Sequence, residues 1–374
     1  MRNKIIILIF GIILLAPQQL FAKYETEFTP SVSISETYDD NIDLDKTDEI
    51  SDWITALTFG INLNISSQKS NFILKYSPSI VRYNDNDEND STRHALTFSS
   101  NMAISRYLEF NISDTYLKSE DPLEETADII GVRGTRQAYQ RNNGDANIRF
   151  TFGPSSMFML GYRHSLLEND DKNIDDGTIA DPYASYSYWF NVKHGIELNS
   201  GYTEADFSRD NNTPKDDYSG LTEGIGYRYR LDPHSTMSID FDFTNRDFDG
   251  DTTDYEVYEG TLGFEKNVSE DLSYNISAGY FIRQNDMDED DSGLNADISL
   301  TKKINRGAFI FSGRSGWDEV YLESENRGFT KYQSVTSSFN YQVTENLRNN
   351  VSITYRQDKD ESSRKSKSIR AKSC

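Results

Sequence analysis

Three long alternating stretches between Ser235 and Arg283 constrain the fold of this chain more than any other feature. Apolar and polar residues alternate without a break in Met237–Phe243, and the same pattern is followed in Tyr258–Phe264 and in Leu272–Tyr280. Such alternation places the two residue classes on opposite faces of a β-strand. Strands of about 9–11 residues, apolar on one face and polar on the other, joined alternately by tight turns and longer loops, are typical of a transmembrane β-barrel.

The same pattern runs through the rest of the chain and predicts an all-β fold. We expect an antiparallel, up-and-down transmembrane barrel of about 16–18 strands. The seventeen candidate strands are Glu27–Tyr38, Trp53–Ile65, Asn71–Tyr83, Thr92–Ser105, Tyr107–Lys118, Ala138–Phe152, Met157–Glu168, Pro182–Phe190, Gly195–Phe207, Tyr218–Leu231, Ser235–Asn245, Tyr255–Lys266, Leu272–Gln284, Gly293–Ile304, Gly307–Leu322, Phe329–Tyr341 and Leu347–Gln357.

The connections between these strands alternate between short turns and long acidic loops. Asp232–His234 and Asn267–Asp271 are short, whereas Arg246–Asp254 and Asn285–Ser292 are long and rich in carboxylates. In outer-membrane barrels the short turns face the periplasm and the long loops face the outside. The alternation therefore predicts that every long loop leaves the same end of the barrel.

The N-terminus has the pattern of a secretory signal. Arg2 and Lys4 precede the apolar segment Ile5–Ala16, and Ala22 stands at a plausible cleavage position before Lys23. We predict a signal peptide at residues 1–22 that is removed; the alternative is an uncleaved membrane anchor. Residues 23–357 then form the barrel.

The net charge and the aromatic content indicate which classes of molecule this protein can bind. The net charge of −23 argues against nucleic acid, whose phosphates require a basic surface. The 23 Tyr and 21 Phe suit the aromatic girdles of a barrel in lipid. We expect outer-membrane lipid and lipopolysaccharide as partners, and polysaccharide or small solutes as candidate cargo. The sequence does not determine the oligomeric state.

One local motif carries a resemblance to a known family. The first strand contains Pro30 and ends in Tyr38-Asp39-Asp40-Asn41-Ile42. Together with the signal segment and the hairpin pattern, this resembles the β-barrel porin 2 group of bacterial outer-membrane proteins, over most of residues 23–357. Some members accompany exopolysaccharide or capsule gene clusters. The resemblance implies an outer-membrane barrel and names neither a substrate nor a functional residue.

The C-terminal segment departs from the barrel pattern. Residues 358–374 are basic, rich in Ser and without clear alternation, and they end in Cys374, the only cysteine of the chain. We expect this tail to be disordered or a frameshift product, with the closing strand lost, because single-chain bacterial barrels have even strand numbers. The alternative is a genuine basic tail after 16 closed strands.

The polar face of the strands is the candidate functional surface. Charges that faced lipid would cost about 2–4 kcal/mol each near the midplane for Arg or Lys, so they are expected to face a lumen. The predicted pore-lining residues are Arg149, Arg163, Arg228, Arg230, Asp240, Asp242, Glu259, Arg283 and Arg314, with Arg356, Glu109, Glu197 and Glu265 on the same face. They could tune the selectivity of a pore, or they could pair and only hold the wall together.

Other motifs give weaker indications. In the longest loop, the apolar run at residues 129–132 could fold inward as a constriction or belong to a mobile external loop. Asp85, Asp87 and Asn89 start like a calcium loop, but Leu96 stands where the bidentate Glu should be. The four histidines are far apart in sequence, and no nucleophile, base and orienting group can be assembled. We predict no enzyme activity and no cofactor.

Two functions remain open besides a soluble secreted β-sandwich, which the lipid-facing pattern disfavours. The first is a porin-like channel, linked through the family resemblance to exopolysaccharide export. The second is a structural or interaction barrel that is closed to solutes and meets an extracellular partner through its acidic loops.

Overall fold

The alternation seen in the sequence is realised as β-strands along the chain. The computed structural model describes residues 24–43, 49–121, 137–171, 174–208, 217–250, 252–287, 289–320, 328–344, 347–359 and 365–373. The predicted signal peptide, with its cleavage site at Ala22 and Lys23, lies outside these residues. The apolar run at residues 129–132 lies outside them too.

Eighteen strands follow one another within the described ranges. They are β1 (Glu25–Asp39), β2 (Asp52–Ser66), β3 (Ser70–Tyr83), β4 (Ser91–Ala103), β5 (Leu108–Ser119), β6 (Tyr139–Thr151), β7 (Met157–Asn169), β8 (Asp176–Trp189), β9 (His194–Ser208), β10 (Tyr218–Asp232), β11 (Ser235–Phe248), β12 (Tyr255–Ser269), β13 (Leu272–Asn285), β14 (Asp291–Ile304), β15 (Gly307–Val320), β16 (Gly328–Gln342), β17 (Arg348–Lys359) and β18 (Lys365–Ser373). At about 3.3 Å per residue, even the shortest spans about 30 Å.

The strands form one up-and-down sheet. Each pairs antiparallel with the next along the chain, from the β1–β2 ladder to the β17–β18 ladder. Among the described residues no ladder joins β1 to β18, so the sheet is not closed. Residues Glu25 to Tyr38 of β1 are all exposed, as expected for an edge strand. No helix in the described part of the chain is long and apolar enough to cross a membrane.

The predicted all-β, antiparallel architecture is confirmed, with one strand start in error. The prediction began a strand at Pro182, whereas β8 begins at Asp176. The acidic residues before Pro182 are typical of a long loop, and proline lacks the N–H that a ladder needs. The chain instead accommodates it by a local break: the β8–β9 register passes from Ala180 opposite Glu204 to Tyr183 opposite Gly201.

The C-terminal segment also differs from the expectation of disorder. Residues Lys365–Ser373 form β18, in register with β17 from Lys359 opposite Lys365 to Val351 opposite Ser373. Backbone pairing needs no side-chain alternation, so a Ser-rich basic segment can take a place in a ladder. A frameshift origin of this segment stays a prediction.

One face of the sheet, here the outer face, is apolar and exposed. Ile239 on β11, Leu262 on β12 and Leu294 on β14 are 57%, 63% and 68% exposed. An apolar surface that continues over many strands is far larger than soluble proteins expose, and it matches the lipid-facing band of a membrane barrel. The sheet therefore carries its apolar residues where a bilayer would cover them.

Aromatic rings border this face at the short-turn end. Neighbouring rings there lie with centroids 5.3–6.3 Å apart. The set comprises Phe150, Phe152, Tyr186, Tyr188 and Phe190. Such girdles mark the boundary between lipid and water because the ring is apolar and the Tyr hydroxyl is polar.

The opposite face, here the inner face, is polar and uses glycine to fit large side chains. Gly161 lies opposite Tyr183 in the β7–β8 ladder, and a Cβ at this glycine would overlap the ring of Tyr183. Its neighbour Tyr162 points to the outer face and is 47% exposed. The glycine thus makes room for Tyr183 on the inner face while the adjacent tyrosine faces outward.

The loop-end part of the β15–β16 hairpin leaves the wall and folds over the inner face. The β14–β15 ladder stops at Ala296 opposite Ser315, whereas β15 and β16 stay paired up to Val320 opposite Gly328. The β16–β17 ladder begins only at Lys331 opposite Lys359, so we call residues 316–320 and 328–330 the β15–β16 tip. Gly328 has a positive φ of 58°, which glycine adopts without steric cost.

Candidate functional site

The inner face collects all nine of the predicted pore-lining residues. In the β10–β11 ladder Asp240 lies opposite Gly226, and Asp242 lies opposite Gly224 and, on β12, Glu259. Directly opposed residues in a sheet share a face, and so do residues two apart on one strand. By the same geometry, the strand registers from β5 to β15 place every residue of the predicted set on the inner face.

Most of these arginines lie beside carboxylates of neighbouring strands. Arg228 contacts Glu197 of β9 at 2.6 Å and also pairs with Asp240 of β11. Its side chain is only 21% exposed. A guanidinium that bridges two strands in this way stabilises their register, because it donates to both carboxylates at once.

The same arrangement recurs along the wall. The N–O distance is 3.6 Å between Arg149 and Glu109, 2.7 Å between Arg163 and Asp181, and 3.1 Å between Arg314 and Asp297. The alternative in which the charges pair across the wall therefore describes these residues well. Their role in lining a pore stays a prediction.

Two of the predicted arginines rest on aromatic rings. Arg230 lies 4.0 Å from the ring centre of Trp189 and donates to the carbonyl of Val192 at 3.1 Å. Arg283 lies 4.2 Å from the ring centre of Tyr255 and 4.5 Å from that of Phe329. Cation–π contacts of this kind are stronger when the cation is desolvated.

The β15–β16 tip supplies a cross-lumen contact that joins strands far apart in the sheet. Glu319 forms an ion pair with Arg246 on β11: Nη2 of the guanidinium donates to Oε2 at 2.9 Å, and Nε lies 2.8 Å from Oε1. It also accepts from the hydroxyl of Tyr255 at 2.7 Å. The Arg246 side chain is 5% exposed, so this ion pair is almost fully shielded from water.

Aromatic packing surrounds this ion pair. Phe329 of the tip is 2% exposed and lies 5.8 Å from Tyr255 and 5.9 Å from Phe281, between ring centres. The indole N–H of Trp317 donates to Glu259 at 3.1 Å. The tip is therefore held on the inner face by both apolar and polar contacts.

Residues of β8 and β10 also lie near the ion pair between Arg246 and Glu319. Asp181 on β8 interacts electrostatically with Arg246 and with Glu319. Tyr218 lies beneath Arg246, whose Cζ is 5.8 Å from the ring centre. Charges from β8, β11 and β15 thus converge, and we call Asp181, Tyr218, Arg246, Tyr255 and Glu319 the constriction layer.

Sequence reasoning placed Arg246 in a loop and missed Glu319 entirely. Arg246 stands at the start of an acidic run, which indicated a loop, although β11 continues to Phe248. Glu319 was missed because alternation assigns Trp317 and Glu319 to the lipid-facing side that carries Phe309 and Phe311. A carboxylate at a position expected to face lipid was the available signal, since such a charge is costly in a bilayer. The fold resolves the conflict by bending the tip inward.

The calcium-like loop is organised by a protein carboxylate. Asp52, which is 2% exposed, accepts from the backbone N–H groups of Asp85 and Asn86 at 3.1 and 3.0 Å. Its Oδ2 also accepts from the Asn86 side chain at 2.8 Å. In the described part of the chain, no group of three or more His, Cys, Asp or Glu residues is arranged to hold a metal ion.

Known proteins resemble this chain in structure only. No family model matches it, and no curated protein matches its sequence. The FrpB iron transporter from Neisseria meningitidis (F5-1 variant) is similar with a TM-score of 0.53 and 10% identity, over 91% of this chain and 64% of that one. The chain thus spans less than two thirds of the length of FrpB.

Two structures from Pseudomonas aeruginosa are similar to the same degree. The ferric enterobactin receptor PfeA gives a TM-score of 0.52 at 9% identity, over 94% of this chain and 73% of that one. The siderophore receptor PirA gives 0.52 at 9% identity, over 89% and 65%. The shared property is the fold, so this chain has the fold of outer-membrane β-barrel transporters. The porin 2 label is not supported by these similarities.

Proposed function

We propose that this protein is a porin-like channel of a bacterial outer membrane, which passes hydrophilic solutes along its inner face. The observation that supports this most is the division of one sheet into an exposed apolar face and a polar face. Barrels of 16–18 strands leave an aqueous channel unless something fills it. A wall of alternating arginines and carboxylates suits such a channel, because it wets the lumen and tunes ion selectivity.

The constriction layer is the narrowest part of the proposed path. It places a buried ion pair and the rings of Tyr218 and Tyr255 where β8, β11 and β15 converge. Solutes would pass this layer only beside the β15–β16 tip or after the tip moves. The proposal therefore predicts a low conductance for the folded protein while the tip is docked on the inner face.

The same layer favours a second candidate, a barrel that does not conduct. A tip that is anchored by Glu319 and by the buried ring of Phe329 can close the lumen permanently. Such a protein would act through its acidic loops on an extracellular partner.

A link to exopolysaccharide export is the finer form of the channel proposal. It follows from the resemblance of the first strand and of the Tyr38-Asp39-Asp40-Asn41-Ile42 step to a family whose members accompany such gene clusters. Iron and enterobactin, named for the structurally similar proteins, are not carried over, because identities of about 10% concern the fold alone.

Planar-bilayer recording separates the two candidates. The detergent-folded chain, checked for heat-modifiable migration on a gel, is added to a lipid bilayer in 1 M KCl (about a 3 Å Debye length). Discrete current steps support the channel. Folded, inserted protein that gives no current at any voltage eliminates it and leaves the structural barrel.

A further inference from the structure

A row of amide side chains crosses the inner face of β4, β5 and β6. Asn101 donates to Asn111, whose Nδ2 donates to Oδ1 of Asn147 at 3.0 Å. Asn147 in turn donates to Asp145 at 2.8 Å. In the ladders Asn101 lies opposite Asn111, and Asn111 lies opposite Asn147, so the row runs straight across the strands. We call these four residues the amide row.

The amide row borders an open cavity of about 260 Å³. Asn71, Ser99 and Ser113 extend the uncharged polar lining on the same face. An Asn amide has two donor hydrogens and an oxygen with two lone pairs. The row engages one donor each of Asn101, Asn111 and Asn147, so its amides keep hydrogen-bonding capacity toward the cavity.

This part of the wall differs chemically from the wall of β9–β11. There the polar groups are ions, such as Arg228 between Glu197 and Asp240. In the amide row the one charged group is Asp145, which also accepts from the hydroxyl of Tyr183 at 2.9 Å. The charged side chains that flank the row on the inner face are paired with each other, Arg149 with Glu109 and Arg163 with Asp181. A charged wall favours the binding of ions. An amide surface favours the binding of groups, such as hydroxyls, that both donate and accept hydrogen bonds.

We propose that the amide row is a binding site for an uncharged polyhydroxylated chain, such as a neutral oligosaccharide. Each sugar hydroxyl donates one hydrogen bond and accepts others, which matches the amides in both roles. Several weak, equivalent contacts in line allow a chain to bind and still leave, as passage through a channel requires. That the bound chain is transported rests on the proposed channel function. That it binds to the amide row does not depend on that function.

Calorimetric titration of the detergent-folded full chain with maltohexaose tests the site. We expect measurable binding, and Asn111→Ala should weaken it about threefold to tenfold, the effect of one or two hydrogen bonds. Asn275→Ala is the matched control. Asn275 stands on the inner face of β13, three residues after the strand begins, as Asn111 does on β5. Its removal should leave the affinity unchanged.

Three results would overturn the inference. They are no binding of maltohexaose, tighter binding of the anionic hexamer of galacturonate, and an equal loss in both variants. If Asn111→Ala fails to fold on the heat-modifiability gel, Asn101→Ala at the end of the row replaces it, with the same expected loss.

The titration needs no current, so it is independent of the channel proposal. Current steps together with no sugar binding would remove the inference and keep the channel. Sugar binding lost in Asn111→Ala, in a protein that gives no current, would keep the site and remove the channel.

Discussion

The ion pair between Arg246 and Glu319 is the contact whose loss should change the protein most. We expect Glu319→Gln to release the β15–β16 tip from the inner face. The substitution keeps the size of the side chain and removes its charge, so Arg246 loses the carboxylate that it contacts directly. The Arg246 side chain is 5% exposed, and water can therefore do little to offset the loss.

The magnitude follows from this burial. Removing one partner of a buried pair costs about 3–5 kcal/mol. The Gln amide oxygen can still accept one hydrogen bond, so we take the lower end, about 3 kcal/mol. This corresponds to a shift of roughly 100-fold in the ratio of docked to undocked tip. Burial of the Phe329 ring, about 1.5–3 kcal/mol, opposes complete release.

Single-channel recording measures the result. Glu319→Gln should raise the open probability or the conductance of inserted protein relative to the unsubstituted chain. Asp318→Asn is the matched control, because it makes the same chemical change one residue away on the opposite side of β15. Asp318 contacts Arg356 at 3.0 Å and is 44% exposed, so its loss should have a small effect.

A double substitution separates charge from packing. Arg246→Met combined with Glu319→Leu removes both ions and keeps apolar volume, which is often neutral for a buried pair. The double variant should return the current to the level of the unsubstituted chain. If Glu319→Gln folds, inserts and records the same current as the unsubstituted protein, the reasoning about the constriction layer is refuted.

Three further predictions concern the wall. Gly161→Ala should destabilise the sheet by about 1–3 kcal/mol, because its Cβ would overlap the ring of Tyr183; the midpoint of heat-modifiable migration measures this. Ile239→Lys should cost about 2–4 kcal/mol in urea unfolding from lipid vesicles, since the side chain is on the outer face. Arg228→Ala should shift the reversal potential in a KCl gradient toward cation selectivity, because it leaves Glu197 and Asp240 without their shared arginine.

Each of these has a control within the chain. A Cβ at Gly260 meets nothing within 4 Å, so Gly260→Ala should be tolerated. Ser312→Lys places the same charge on the inner face, and a cost as large as that of Ile239→Lys would contradict the assignment of faces. Arg82 is 59% exposed near the loop end, so Arg82→Ala should leave the reversal potential in place.

Much of the fold could be read from the residues alone. The alternation in Met237–Phe243 predicts β11, and its two sets of side chains do lie on opposite faces. The predicted set around Arg228 and Asp240 also reaches one face, since period-2 geometry is a local property of the backbone. The start of β8 was predicted wrongly, because the acidic residues before Pro182 resemble a loop although they continue the strand.

The partners of the charged residues could not be read in the same way. Whether Arg228 contacts Glu197 depends on the register between β9 and β10. The local sequence constrains that register only by requiring that the apolar residues of both strands lie on the same face. The prediction identified the ions and left pore lining and mutual pairing open. The tertiary structure supplies the pairs.

Sequence by itself determined that this chain forms long two-faced strands, with lipid on one side and polar groups on the other. The tertiary structure decided that the β15–β16 tip turns inward and that Glu319 meets Arg246. These two residues are 73 positions apart, and their contact depends on how the whole sheet curves between β11 and β15. Alternation of period 2 fixes the side of a strand on which a residue lies, and it carries no information about that curvature.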